Sequence, residues 1–322
     1  MIGFLILKIP PQKTTETYDL MRLDYNEQLS TIKKLADKDP KIAWELVKKT
    51  FIQNGEVVGN AHGLSHIVGH GIYNKYGIDG IKICDSAFSF GCFHGVTEAM
   101  LEKVGVEKIK MIEESCLRVF PPNKTQNYTG CIHGTGHGIY EREGGDMKKS
   151  LSDCDIISES YRQYCYDGVF MQNSFSEDSR VIDENNPWKL CSDLDPKYHR
   201  NCARYQSQIF LGKIGQSNPL DKVGKYCASG PSVLLRETCF ESLGYYVSQN
   251  RLGNAEKVWR DCSLMPDRDG AEICTTGGAI EAVFQRYSGY EKNSQELCGR
   301  IVEPRKTSCL NSVQNILNGF KN

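Results

Sequence analysis

Seven histidines occur in the 322-residue chain, and five of them share one local pattern. His66-Ile-Val-Gly-His70-Gly-Ile-Tyr parallels His133-Gly-Thr-Gly-His137-Gly-Ile-Tyr. Between them stands Cys92-Phe-His94-Gly95-Val-Thr-Glu98, which matches Cys131-Ile-His133-Gly134. Residues four apart on a helix lie on one face. His66/His70, His94/Glu98 and His133/His137 therefore each present a pair to one side of a helix. A fourth segment, Cys165-Tyr-Asp167-Gly168, offers Asp167/Met171 at the same positions. Imidazole clusters suit transition metals, with copper or zinc expected here. The candidate ligands are His66, His70, His94, His133 and His137. Glu98 is the carboxylate in register, as a ligand, a partner that orients an imidazole, or a general base. If the centre is catalytic, metal-activated water or oxygen chemistry is expected, with Glu98 or an unligated histidine carrying the proton.

Other chemistries lack their signatures. The His-x-x-x-His pairs have no glutamate after the first histidine, as zinc proteases of the zincin type require. No Gly-x-Ser-x-Gly elbow and no phosphate-binding glycine loop is present. His62 and His199 fall outside the pattern and read as ordinary histidines. Glu141, Glu143 and Asp146 read as a solvated turn after His137. Phe170, Phe210, Tyr245, Tyr246 and Phe284 stand at core spacing.

The elements that must carry these residues are set by cysteine. Fourteen cysteines fall into seven consecutive pairs: 84/92, 116/131, 154/165, 191/202, 227/239, 262/274 and 298/309. No Cys-x-x-Cys occurs, which removes the usual zinc-ribbon, redox and haem-attachment motifs. From Cys116 onward the pairs recur every 35–38 residues, the period of a two-helix solenoid unit. Asn254 to Cys262 reads as a short amphipathic helix, Met265 to Gly270 as a turn, and Cys274 to Tyr287 as a longer helix. A cysteine at the end of one helix and one at the start of the next can reach the ~5.5 Å Cα separation of a disulfide. The expected fold is all-α: an α/α solenoid of about eight hairpins, seven stapled locally. Each bridge closes a loop of about a dozen residues, worth roughly 2.5–3 kcal/mol in chain entropy.

Repeat register separates two kinds of position. Two residues after the second cysteine stand His94, His133, Asp167, Arg204, Glu241, Thr276 and Asn311. The next position is Gly or Ser throughout: Gly95, Gly134, Gly168, Ser242, Gly277 and Ser312, with Tyr205 the exception. A small residue there is a packing rule of the repeat, whereas histidine is not demanded by the fold. Adjacent second helices pack side by side, so the histidines are expected to form a ladder on one inner surface.

The stretch Leu243-Gly-Tyr-Tyr246 through Ala255, Trp259 and Cys262 to Cys274 resembles the cysteine-rich Sel1-like repeat proteins, relatives of the tetratricopeptide class. That resemblance covers residues 150–320 in period and 243–274 in motif. It implies a secreted solenoid with one disulfide per repeat, and no particular activity.

Net charge is −1 and no Lys/Arg block stands out, so no nucleic-acid partner is indicated. No apolar run reaches the ~18–20 residues of a membrane span. The segment Met1–Pro11 reads as a frayed apolar terminus or the remnant of a signal or membrane anchor. Cysteine content and the sequons at Asn123 and Asn127 fit an extracytoplasmic setting. The expected organisation is residues 1–20 as anchor remnant and linker, then one repeat domain over 21–322. Within it, 21–76 form a cap and first hairpin, 77–150 the histidine-rich repeats and 151–322 the C-terminal repeats. The leading reading is transition-metal binding. Its rivals are a scaffold that takes a protein, peptide or glycan on its concave face, and a His/Glu enzyme with or without metal.

Overall fold

A computed structural model describes residues 19–120, 125–176, 182–183, 185–214 and 220–319. The Met1–Pro11 segment and the sequon asparagine at 123 lie outside the described residues. Among the described residues the regular structure is helical apart from one two-stranded ribbon.

The N-terminal cap is α1 (Tyr25–Lys38), opened by a capping box in which Asp24 and Glu27 satisfy each other's backbone N–H. Pro40 starts α2 (Pro40–Phe51), where its missing N–H costs nothing. The ribbon β1 (Ile52–Gln53) and β2 (Glu56–Val57) then leads to α3 (His62–Tyr76). This first hairpin, α2/α3, has no cysteine. A 3₁₀ segment, Ile78–Ile83, precedes Cys84 and takes the place of a first helix before α4 (Gly91–Val104). The remaining hairpins are α5/α6 (Ile109–Val119, Thr125–Arg142), α7/α8 (Met147–Cys154, Arg162–Phe175) and α9/α10 (Lys189–Ser192, His199–Ile214). They continue with α11/α12 (Leu220–Ala228, Val233–Asn250), α13/α14 (Ala255–Cys262, Arg268–Phe284) and α15/α16 (Tyr290–Gly299, Arg305–Gly319). Side-chain caps start the later helices as the turn sequences require: Asn254 accepts from Lys257 N at 3.1 Å and Asp267 from Gly270 N at 2.7 Å.

All seven pairs form the expected disulfides, with Cα separations between 5.4 and 6.0 Å. Every cysteine is buried. So each bridge staples the outer helix of a hairpin to the inner one from within the core. So many bridges point to an oxidising setting outside the cytosol. Among the described residues no helix is long and apolar enough to cross a membrane.

The longer helices α3, α4, α6, α8, α10, α12, α14 and α16 pack in that order, side by side. Their close approach explains the small-residue rule. A Cβ at Gly95 would strike the His66 carbonyl, one at Gly168 the His133 carbonyl, and one at Gly277 the Glu241 carbonyl. Ser242 turns the same contact into a hydrogen bond, its Oγ donating to the Arg204 carbonyl.

The row curves until the end of α14 meets the segments that precede α3 and α4. Ser89 Oγ donates to Gln285 Oε1 at 2.8 Å, Val57 N to the Arg286 carbonyl at 2.8 Å, and Phe90 lies 6.1 Å from Phe284 between ring centroids. The concave face is thereby wrapped around a hollow of about 740 Å³. Phe170 and Phe210 are core residues as expected. Tyr246 instead lines the hollow, Phe284 sits 37% exposed at the seam, and Tyr245 lies under the Arg204 guanidinium.

Candidate metal centre

Three neighbouring helices build the site. α3 presents His62, His66 and His70, α4 presents His94 and Glu98, and α6 presents His133 and His137. The glycine contacts draw these helices together, and the rings converge with centroids 4.7–5.8 Å apart. His94 and His137 are buried, while His62, His66 and His133 are half-buried. His62, His66 and Glu98 line the hollow.

His62 belongs to the cluster, contrary to the expectation that it is an ordinary histidine. It stands one turn before His66, and their Nε2 atoms are 3.1 Å apart. His199 is ordinary, its Nε2 bonded to the Leu194 carbonyl at 3.1 Å. His70 is on the same face but beyond the convergence. Its Nε2 reaches Glu98 Oε2 at 3.1 Å.

Two triads of ring nitrogens lie within 4.8 Å of one another: His62, His66 and His94, and His94, His133 and His137. Zinc–nitrogen bonds of about 2.0–2.1 Å put tetrahedral ligand atoms roughly 3.3–3.4 Å apart. His66 Nε2 is 3.1 Å from His62 Nε2 and 3.3 Å from His94 Nδ1, and His137 Nε2 is 3.1 Å from His133 Nε2. The spacing therefore already approaches that of ligands around one ion.

The outer nitrogens are held by oxygen. His62 Nδ1 donates to the Phe88 carbonyl at 2.7 Å. That carbonyl is aimed by three successive left-handed residues, Phe88 (φ 52°), Ser89 (φ 54°) and Phe90 (φ 63°). Such residues store on the order of 1–3 kcal/mol each and are retained where the surroundings fix them. His66 Nδ1 lies 3.1 Å from Glu98 Oε2. His137 Nδ1 lies 2.7 Å from Gln172 Oε1, and the amide of Gln172 is turned that way because its Nε2 donates to Glu141. Glu141 thus belongs to α6 and to the shell around the cluster, not to a solvated turn. The turn itself follows, with Asp146 capping α7 and Glu143 paired to Lys149. Met171 places its Sδ 3.4 Å from His133 Nε2.

Electrostatics keeps the His62, His94, His133 and His137 rings neutral. Burial pushes His62, His133 and His137 down to about 3, helped by neighbouring rings and, for His133, by the Arg204 charge. Burial also holds His94 well below the ordinary imidazole value. Burial works against the Glu98 carboxylate, but His66 and His70 outweigh it and hold its pKa well below the usual range. His70 is the exception among the rings: burial opposes its charge, yet Glu98 raises its pKa.

These bonds fix where protons are missing. Phe88 O can only accept, so the neutral His62 carries its proton on Nδ1 and leaves Nε2 bare. The ionised Glu98 likewise accepts from His66 Nδ1. The bare His62 Nε2 then lies 3.1 Å from His66 Nε2. His94 Nε2 is buried without a hydrogen-bond partner among the described residues. A bare, buried polar atom is costly. The arrangement is satisfied by a cation.

Compared with known proteins, the chain matches no family model, no curated sequence and no solved structure.

Proposed function

We propose that the protein is an extracytoplasmic transition-metal-binding protein, and that His62, His66, His94, His133 and His137 hold copper or zinc. The supporting observation is the convergence of ring nitrogens from three helices, with His62 Nε2 and His66 Nε2 3.1 Å apart and each of these two rings held by an oxygen on its far nitrogen. Oxygen partners on the outer nitrogen are how proteins orient metal-bound imidazoles. Glu98 serves this role for His66 and ties in His70. The neutral His62, His94, His133 and His137 rings need no deprotonation to bind, which favours capture at neutral pH. The likeness to Sel1-like repeats bears on architecture alone and adds nothing to this reading.

The test is metal analysis of protein secreted through an oxidising compartment, beside a His133→Ala/His137→Ala variant whose helicity is checked by circular dichroism. The expected result is bound copper or zinc in the parent and a clear loss in the variant. Equal, negligible metal in both would sink the proposal and leave a hydrogen-bonded scaffold as the better account.

A second reading, a metal-dependent enzyme, draws support from the hollow. His62 and His66 line it, so an ion there would have an open position facing about 740 Å³, as catalytic zinc sites do. On that reading His70 and Glu98, hydrogen-bonded to each other outside the triads, are the groups that would take up a proton.

A further inference from the structure

His94 is the one ring common to both triads. We infer that His94 bridges two metal ions, one held with His62 and His66 and the other with His133 and His137. The inference rests on the metal-binding reading of the same cluster and adds to it a number, a bridge and a division of labour.

Imidazole can ligate two ions only through both ring nitrogens, so a bridging ring must have neither committed elsewhere. His62, His66 and His137 each have Nδ1 committed to an oxygen, on Phe88, Glu98 and Gln172 respectively. They can ligate through Nε2 alone. His94 has no oxygen partner: its Nδ1 faces His66 Nε2 at 3.3 Å, and its Nε2 has no hydrogen-bond partner among the described residues. Position explains the difference. α4 is the middle helix of the three, so His94 is flanked by rings from α3 on one side and α6 on the other.

Each triad supplies three nitrogens, the number that catalytic zinc sites use while leaving a position open. The two sites differ. The first includes His62 and His66 and faces the hollow. The second includes the buried His137 and has the Met171 thioether beside His133, a soft donor suited to copper. Bridging requires the loss of the one proton on the neutral His94 ring. The second ion takes the place of that proton, which leaves to the solvent, and no electron moves.

The test uses the whole disulfide-bonded chain, stripped with a chelator and titrated with Zn²⁺ and separately with Cu²⁺. Two Zn²⁺ per chain are expected, with one fewer in His62→Ala and one fewer in His137→Ala. With two Cu²⁺ bound, the paramagnetic resonance signal should fall well below that of two isolated ions, because an imidazolate couples them. This second readout uses the parent protein, so it stands even where a variant fails to fold. One ion per chain, or two ions with a full additive signal, overturns the bridge and leaves metal binding intact. No ion bound at all overturns the metal-binding reading itself.

Discussion

The two halves of the ring share one backbone plan and differ in how they treat buried charge. At the same repeat position the first half carries His66, His94 and His133, and the second carries Arg204, Glu241 and Thr276. In both, a small residue at the next position rests on a carbonyl of the preceding inner helix, Gly95 on His66 in the first half and Ser242 and Gly277 on Arg204 and Glu241 in the second. The second half pairs its buried charges. Arg204 pairs with Asp167 at 3.0 Å, Asn201 donates to the same carboxylate at 2.8 Å, and Glu281 accepts from Gln249 and Gln285 at 2.7 and 2.8 Å. The first half turns ring nitrogens towards one another. A scaffold that only needed rigid polar contacts has a solution, and it is on display across the hollow. The first half departs from it in the direction that a cation would correct.

The shared plan can be broken at its glycines, and this is the largest effect expected. Gly95→Val in the first half and Gly277→Val in the second each drive a side chain into the backbone of the preceding inner helix. Overpacking against side chains costs about 1–3 kcal/mol, and here the obstacle is backbone. Both variants should lose roughly 3 kcal/mol or more, read as a collapse of the thermal midpoint or failure of secretion. Tolerance of either one alone would mean that the two halves do not pack by one rule.

The difference in buried charge predicts a loss of stability towards acid that arises in the first half. His133 and His137 titrate near 3 when folded, against about 6.5 when unfolded. Below 6.5 the unfolded chain takes up protons that the folded chain refuses. Stability of the metal-free protein is therefore full above pH 6.5 and falls as pH drops towards 3, by an amount on the order of a few kcal/mol. His70 works the other way: its raised pKa stabilises at low pH and that contribution is lost as pH rises through it. Urea midpoints of the metal-free chain between pH 7 and 4 measure the net slope. His133→Gln/His137→Gln should flatten it, and Glu241→Gln should not.

A buried carboxylate in each half gives a matched pair. Glu98 is ionised and orients His66, whereas burial raises the Glu281 pKa and its partners are amides. Glu98→Gln removes an oxygen partner of a ligand ring, a change that costs about 10–100-fold in metal affinity elsewhere. Glu281→Gln should leave affinity unchanged. Competition with a zinc indicator measures both, and equal losses would show that the ring responds as a whole and not by halves.

Much of this plan is legible in the sequence because its causes are local or periodic. Disulfide partners lie 8–15 residues apart, so pairing follows from spacing. The repeat register then aligns His66, His94 and His133 before any coordinates are known. His62 escapes that logic because the equivalent positions on α4 and α6 are Phe90 and Thr129. The signal present was its four-residue spacing from His66, the same spacing that links His66 to His70. Glu141 and Gln172 are illegible for another reason: the first acts on the second, and the second on His137, across two helices. Ring closure is the least legible feature. It sums small rotations over many repeats, and its hydrogen bond joins Ser89 to Gln285, 196 residues apart.

The smallest effect concerns which ion the first half prefers. Met171 follows Asp167 by four residues, as Glu98 follows His94, so it occupies the next rung of the ladder. The corresponding rungs of α10 and α12 are Gln208 and Tyr245, neither a soft ligand. Its sulfur lies 3.4 Å from His133 Nε2 at the edge of the second triad. Thioether favours copper(I) over zinc, and imidazole accepts both. Met171→Leu keeps size and apolarity while removing the sulfur, so it separates donor chemistry from packing. Copper(I) affinity should drop by about three- to tenfold, with zinc affinity within about twofold of the parent. Competition against a copper(I) chelator, run beside a zinc titration, reads the ratio. An equal fall in both affinities would make Met171 a packing residue and leave the cluster a purely nitrogen site.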